Sequence, residues 1–549
     1  METKTIQKDS YENMYNSWKW NVPKDYNFVF DVVDKWAEED PEKIALISIH
    51  KDGKTDTKHS FEDLKKKSNK FVNVLKKLGL KKGDRVLIIL QSIPEWYEAM
   101  LGMIKMGVIP MPGTVLLREK NVKYRVNRSE ATMVITDSEH TDIVENVKDE
   151  CPTLKHFMLV RDKKDGWVSF EEEMKEASDE LTQNDVEKTS SDEPMLIYFT
   201  SGTTGNPKMV LHTHKYPLGH EVTARFAMDL TPDDVHLTVS ETGWAKAAWG
   251  KLFGQMIVGA TILQAETPGR FDGDFMLRKM EKYGVTTFCA PPTVYRMLIQ
   301  QDLSKYDLKL RHSMSAGEPL NPEVINKWKQ AFGLGIHDFF GQTETVCVVS
   351  NYPCMKIKAG SMGKPTPGHD VRIIDDEGNE KEVNEVGNIA INIQDERPPG
   401  LFKEYWKDEE KTAESFKHGY YYTGDQAYKD EEGYLWFVGR DDDVIKSSGY
   451  RIGPFEVESA LVEHDAVAEA AVVGVPDPKG VRGILVKAYV ILSKDYEGSD
   501  ELTKELQEHV KNVTAPYKYP RIIEYVKELP KTISGKIIRR ELRGDEKKE

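Results

Sequence analysis

Short apolar runs alternate with longer amphipathic stretches along the chain. Residues 85–90 (RVLIIL), 132–136 (TMVIT) and 195–200 (MLIYFT) read as buried strands, whereas 60–78 is amphipathic over a helical length. This alternation predicts an α/β fold. Residues 162–194 are highly charged and poor in apolar side chains, which predicts a surface excursion ahead of the strand at 195–200. Further on, the polar cluster 439–443 (GRDDD) separates a strand-like segment at 434–438 from a new α/β pattern across 471–492. The expected organisation is a large domain over 1–440 and a small one over 441–549. No internal repeat or low-complexity block interrupts the chain.

At 549 residues, the sequence exceeds one ordinary core at roughly 150 residues per unit. A net charge of −15 opposes a general nucleic-acid or acidic-membrane binder and leaves room only for a local basic site. Cys151, Cys289, Cys347 and Cys354 have no CxxC spacing, so reduced, partly buried thiols are expected and no metal cage. The first twenty residues lack the apolar stretch of a secretory signal, and no uncharged run is long enough to span a bilayer. The expected location is the cytoplasm.

Two separated segments carry phosphate chemistry, 200–208 (TSGTTGNPK) and 531–536 (KTISGK). In the first, small residues bring backbone N–H groups and hydroxyls close to phosphate oxygens, and Lys208 adds positive charge. The spacing is not that of an ordinary P-loop, which places a Lys followed by Ser or Thr directly after its second glycine. Kinase-like phosphoryl transfer is therefore disfavoured. Because 195–200 runs straight into the loop, the segment is expected at a strand's carboxyl end, where open α/β sheets bind ligands. Two distant segments acting on one phosphorylated ligand imply a nucleotide enzyme with a mobile second domain.

The ordered set TSGTTGNPK, ETGWAKAAW, SAGEPL, FGQTE, YYTGD, GRDDDVIKSSGYRIGPFEVE and PKTISGK, spread over 31–542, resembles the adenylate-forming acyl-CoA synthetase superfamily, with the nearest look to medium-chain and branched-chain members. The resemblance implies an α/β fold: a large N-terminal domain of layered β-sheets and helices with a β-barrel-like subdomain, and a small mobile α+β C-terminal domain. It also implies activation of a carboxylate with ATP to an acyl-adenylate and pyrophosphate, followed by attack of the CoA thiol, with Mg²⁺ offsetting phosphate charge. Thr200 and the loop Ser201, Gly202, Thr203, Thr204, Gly205 to Lys208 would hold the triphosphate. Thr343 would approach the α-phosphate, Glu344 would place Mg²⁺, and Gln342 belongs to the same FGQTE motif. Gly317, Glu318 and Pro319 match one face of adenine and Phe340 the other, with Asp338 facing the exocyclic amino group. Asp425 matches the acceptor of the ribose hydroxyls, and Arg440 its basic neighbour.

From the small domain, the resemblance assigns Lys536 to the attacking carboxylate and ATP phosphates, and Arg451 to phosphate in the first domain orientation. Asp442 matches the hinge, and Gly449 the position facing the pantetheine arm after rotation. Acetylation of Lys536 by a lysine acetyltransferase would remove its charge. Ala245, Lys246, Ala316 and Gly341 match acyl-pocket positions, with Trp244 and Trp249 as wall or core aromatics. Acetate-specific relatives carry Trp where Gly341 stands, so its absence is expected to open room for a short-to-medium or branched chain. Lys246 at the pocket wall can limit chain length, favour a polar substrate, pair with a nearby acid, or point away as a plain surface lysine. His212 and His214, alternating on a strand without Cys or carboxylate neighbours, read as packing residues rather than a metal pair. Two other readings stay open: an enzyme delivering its acyl group to a carrier-protein thiol, and a non-catalytic adenylate-binding sensor. A luciferase-like oxidase gains no support from the terminal DEKKE.

Overall fold

In the computed structural model, which describes residues 9–200, 206–266, 271–317, 320, 322–447, 450–477, 484–531 and 537–544, two sheets share one layer of helices. A five-stranded parallel sheet has the order Ile109–Pro112, Arg85–Ile89, Met133–Asp137, His156–Val160, Val168–Ser169. The larger sheet has nine strands. Its parallel centre runs Ile336–Gly341, His312–Ser315, Thr287–Ala290, Val235–Thr238, Thr261–Ala265, Ile44–Ile49, with antiparallel strands at both edges.

Strand alternation explains the layering. Val86 and Ile88 face a core shared with the helices Phe61–Lys77 and Pro94–Met106, while Leu87 and Ile89 face a second core on the opposite side. Both faces are covered, hence the continuous apolar runs. Helix Phe61–Lys77 begins with a reciprocal cap: Asp63 N–H donates to Ser60 Oγ at 3.1 Å, and Ser60 N–H to Asp63 Oδ2 at 2.9 Å. Such a cap contributes about 1 kcal/mol, and the buried stripe of Leu64, Phe71, Val72 and Leu75 then fixes the docked face.

An antiparallel sheet built on Val371–Ile374, Gly387–Asn392 and Tyr420–Lys429, with Leu435–Arg440 along the last, forms the barrel-like unit. Beyond Val444 a separate core gathers Ile452, Leu461, Val472, Val490 and Leu506 between the helices Pro454–Val462 and Asp500–Val513 and a three-stranded sheet.

Two expectations are corrected. The strand Pro194–Thr200 does not belong to an open parallel sheet; it forms an antiparallel hairpin with Lys208–Thr213, beside strand Ile109–Pro112. The intervening loop is too short for a crossover helix, so a hairpin is the only closure available. The stretch 471–492 is likewise strand against strand, Val467–Pro476 antiparallel to Ile484–Leu492. The excursion at 162–194 is largely exposed, as expected, and within it the helix Phe170–Glu176 reaches the shared core through Phe170 and Met174 while its glutamates stay at the surface.

Candidate active site

Hairpin geometry places Thr200 directly opposite Lys208, so the two ends of the phosphate loop are adjacent across the ladder. A third strand, Glu404–Tyr405, pairs with the outer edge of Lys208–Thr213, Tyr405 lying opposite Val210. This brings Lys208 Nζ to 4.7 Å from the centre of the Tyr405 ring. The phenol of Tyr405 in turn donates to Glu344 Oε1 at 2.8 Å. Glu344 is held from both sides: its carbonyl accepts Phe402 N–H at 2.8 Å, and the preceding Thr343 carbonyl accepts from His212 Nε2 at 2.8 Å. Burial pulls the Lys208 ammonium below its ordinary range, with the Glu344 carboxylate acting against that shift.

Glu344 is 8 % exposed, and among the described residues its Oε2 has no hydrogen-bond partner. A carboxylate oxygen without a donor among the described residues, near the Lys208 ammonium, suits a hard cation shared with phosphate. No group of three or more His, Cys, Asp or Glu among the described residues forms a cage, so Mg²⁺ here would rest on Glu344 and phosphate oxygens together.

Asp425 and Arg440 are cross-strand partners on the barrel-like sheet. Gln342 links them to the FGQTE loop, donating to Asp425 Oδ2 at 2.6 Å and to Thr423 O at 2.8 Å, while its own Oε1 accepts from Tyr421 at 2.9 Å. Desolvation opposes the charge of Arg440, yet Asp425, Asp442, Asp443 and Glu344 together hold it above its ordinary range. Arg440 Nε lies 3.5 Å from Asp442 Oδ1.

Asp338 and Phe340 sit on strand Ile336–Gly341, and Gly317 follows the neighbouring strand at φ 107°, a conformation that suits glycine. Burial pushes the Asp338 carboxyl up to about 8, against backbone hydrogen bonds from Phe339 and Leu320 and the charge of Lys246. Lys246 is half-buried, and its Nζ donates to Ala316 O at 2.9 Å. Ala245 opens the helix Ala245–Lys251, and Trp244 caps it.

The Trp249 indole bounds the position of Gly341. A Cβ at that position would lie 2.5 Å from the Trp249 ring and would collide with the Val346 carbonyl, so the indole of Trp249 stands where a side chain would go. His212 stacks on Tyr216 at 3.7 Å, and burial pushes it down to about 3; buried His214 is also pushed down to about 3. Cys151, Cys289, Cys347 and Cys354 are all free.

Ser201, Gly202, Thr203, Thr204, Gly205, Glu318, Pro319, Gly449 and Lys536 lie outside the described residues, as does the side chain of Arg451. Thr200, Lys208, Gln342, Thr343, Glu344, Asp425 and Arg440 converge. Tyr405 was not found from the sequence, because it follows no motif and gains its place only by pairing with the Lys208 strand.

Residues 33–406 match the family described as AMP-binding enzyme, and residues 456–536 the AMP-binding enzyme C-terminal domain. The chain belongs to the AMP-binding enzyme family. It is similar to the human acyl-coenzyme A synthetase ACSM3, mitochondrial, at 46% identity over 548 residues, 98% of this chain and 92% of that protein. Among solved structures, the anthranilate CoA ligase AuaEII in complex with anthranoyl-AMP superposes with TM-score 0.86 at 30% identity, covering 95% of this chain and 98% of that one. The Brucella canis acyl-CoA synthetase gives TM-score 0.75 at 34% identity, covering 98% and 99%. This member is an AMP-forming acid–thiol ligase: carboxylate and ATP give acyl-adenylate and pyrophosphate, and CoA then takes the acyl group with release of AMP. It uses ATP, CoA and Mg²⁺.

Proposed function

We propose that this ligase activates short-to-medium, including branched, carboxylates rather than acetate or long chains. The observation that carries the reading is Trp249 packed against Gly341: the glycine leaves the pocket without a side chain of its own, and the indole behind it limits depth. Ala245 and Ala316 are small, while the Lys246 bond to Ala316 O draws that ammonium towards backbone. Each additional buried methylene contributes about 0.8 kcal/mol until the chain meets the indole.

Thr200 and Lys208 would hold phosphate oxygens and Glu344 would hold the cation; Mg²⁺, when bound, supplies charge for attack at the α-phosphate. Asp425 accepts the ribose hydroxyls beside Arg440. Lys536 enters with the small domain for adenylation and leaves by rotation at Asp442, after which Gly449 borders the thiol path. A lysine acetyltransferase acting on Lys536 would silence the first step by removing its charge.

A series of straight and branched carboxylates, assayed for AMP release with CoA, tests both parts when Lys536→Ala is run beside the parent enzyme. The expected profile peaks beyond acetate, and Lys536→Ala loses carboxylate-dependent pyrophosphate exchange by on the order of 100-fold. A series dominated by acetate overturns the substrate class, and undiminished exchange overturns the lysine assignment.

A further inference from the structure

Trp244 is held by Glu241, the first residue of the ETGWAKAAW segment, to which the sequence reading gave no role. Its Nε1–H donates to Glu241 Oε2 at 3.1 Å. The same oxygen accepts the Thr114 hydroxyl at 2.7 Å, and the other carboxylate oxygen accepts Val115 N–H at 2.6 Å. Glu241 thus accepts three hydrogen bonds, two of them from the segment that follows strand Ile109–Pro112 of the other sheet. The attachment is reinforced on both sides. Thr242 donates its hydroxyl to Leu90 O, just past strand Arg85–Ile89, and Gly243 lies so close to the Thr114 backbone that any Cβ would collide with it. At the far end of helix Ala245–Lys251, Lys251 Nζ donates to Ser92 Oγ at 2.8 Å.

We propose that Glu241 is a positioning residue that sets acyl-chain preference by fixing the Trp244 indole against the carboxyl ends of the five-stranded sheet. The inference rests on the reading of Trp244 as an acyl-pocket wall. An indole on the loop bond Trp244 Cα–Cβ alone turns about two torsions; with its N–H committed to a carboxylate that is itself anchored to two backbone-proximal donors, one orientation is selected. The wall of the pocket is then defined by a sheet whose strands contribute no other group to the acyl pocket positions.

Glu241→Gln is the discriminating change because it keeps shape and removes one acceptor. The Gln carbonyl takes over Val115 N–H, and its amide can donate to the Thr114 hydroxyl, but the amide then meets the indole N–H donor to donor. Released from its partner, Trp244 no longer presents one face to the chain.

The test is a steady-state series over carboxylate lengths with the parent, Glu241→Gln, Trp244→Phe and the double variant, each also titrated with ATP. Glu241→Gln is expected to raise the carboxylate KM by about tenfold and to flatten the length profile, with the ATP KM within about twofold of the parent. In the Trp244→Phe background, which lacks the ring N–H, the same substitution should add nothing further. An unchanged profile in Glu241→Gln, or an effect that adds in full to Trp244→Phe, overturns the proposal and leaves Glu241 only as a brace for Thr114 and Val115. If Trp244→Phe itself leaves the profile unaltered, the pocket reading fails and this inference with it; an altered Trp244→Phe beside an unaltered Glu241→Gln removes only the pin.

Discussion

Single atoms decide how the phosphate end of the site is built. Tyr405 is in contact with both charged partners: its ring lies under the Lys208 ammonium and its hydroxyl holds Glu344 Oε1. A group hydrogen-bonded to a metal-binding carboxylate typically changes metal affinity by on the order of tenfold or more when removed. Tyr405→Phe keeps the ring and deletes only that bond. The half-saturating Mg²⁺ concentration for adenylation should therefore rise by on the order of tenfold, and a Mg²⁺ titration identical to the parent would speak against Glu344 as the cation ligand. The aromatic face under Lys208 is unchanged in this variant, so the ATP dependence at saturating Mg²⁺ is expected to move less.

At the scale of elements, the site depends on two short segments pressed against each other. Helix Tyr216–Val222 follows the Lys208 strand, and Gly219 on it faces Gly400 so closely that a Cβ would collide with the Gly400 backbone. Just beyond Gly400, Phe402 N–H binds the Glu344 carbonyl and Lys403 N–H binds Leu211 O, before the chain pairs as Glu404–Tyr405. Gly219→Ala would wedge backbone from backbone, with no flexible side chain to yield. Overpacking of this kind costs typically 1–3 kcal/mol. A lowered thermal midpoint together with a raised ATP KM is expected, because the strand bearing Tyr405 is displaced with Gly400. A midpoint equal to that of the parent would show that the two backbones separate freely.

Across the whole molecule, burial of neutral imidazoles governs acid stability. His236, bonded to Thr287 and Thr238 hydroxyls at 2.8 Å each, is pushed down to about 3 by burial, as are His212 and His337. His369 is pushed down to about 4, again chiefly by burial. A folded-state value below the unfolded one means that the unfolded chain takes up the proton first. This stability is present above about pH 6.5 and is lost as pH falls towards 3 to 4, by up to about 1.4 kcal/mol per pH unit for each such histidine. Asp338, raised to about 8, contributes in the opposite sense over pH 4 to 8. Asp34, Glu98 and Glu458, all raised by burial, act in that same sense, while His214, His59 and His312, also pushed down by burial, add to the histidine side. Thermal midpoints measured from pH 8 down to pH 4 should fall steeply once pH passes below about 6.5. A flat profile over that range would contradict the buried neutral state.

Residue types and local structure were legible in the sequence. The apolar runs at 85–90 and 195–200 became strands, the amphipathic run at 60–78 became a capped helix, and Lys208, Glu344, Asp425 and Arg440 were named from their motifs. The elements follow from short-range rules, alternation and helical spacing, whereas the roles of Glu344, Asp425 and Arg440 came from the resemblance that their motifs carry. Folding alone decided what each one meets. It made the phosphate loop a hairpin, slid an unmarked strand carrying Tyr405 along its edge, set the Trp249 indole against Gly341, and bound Glu241 to a second sheet. Those contacts join positions far apart in the chain, and close packing and pairing of buried polar groups select them only once the layers have assembled.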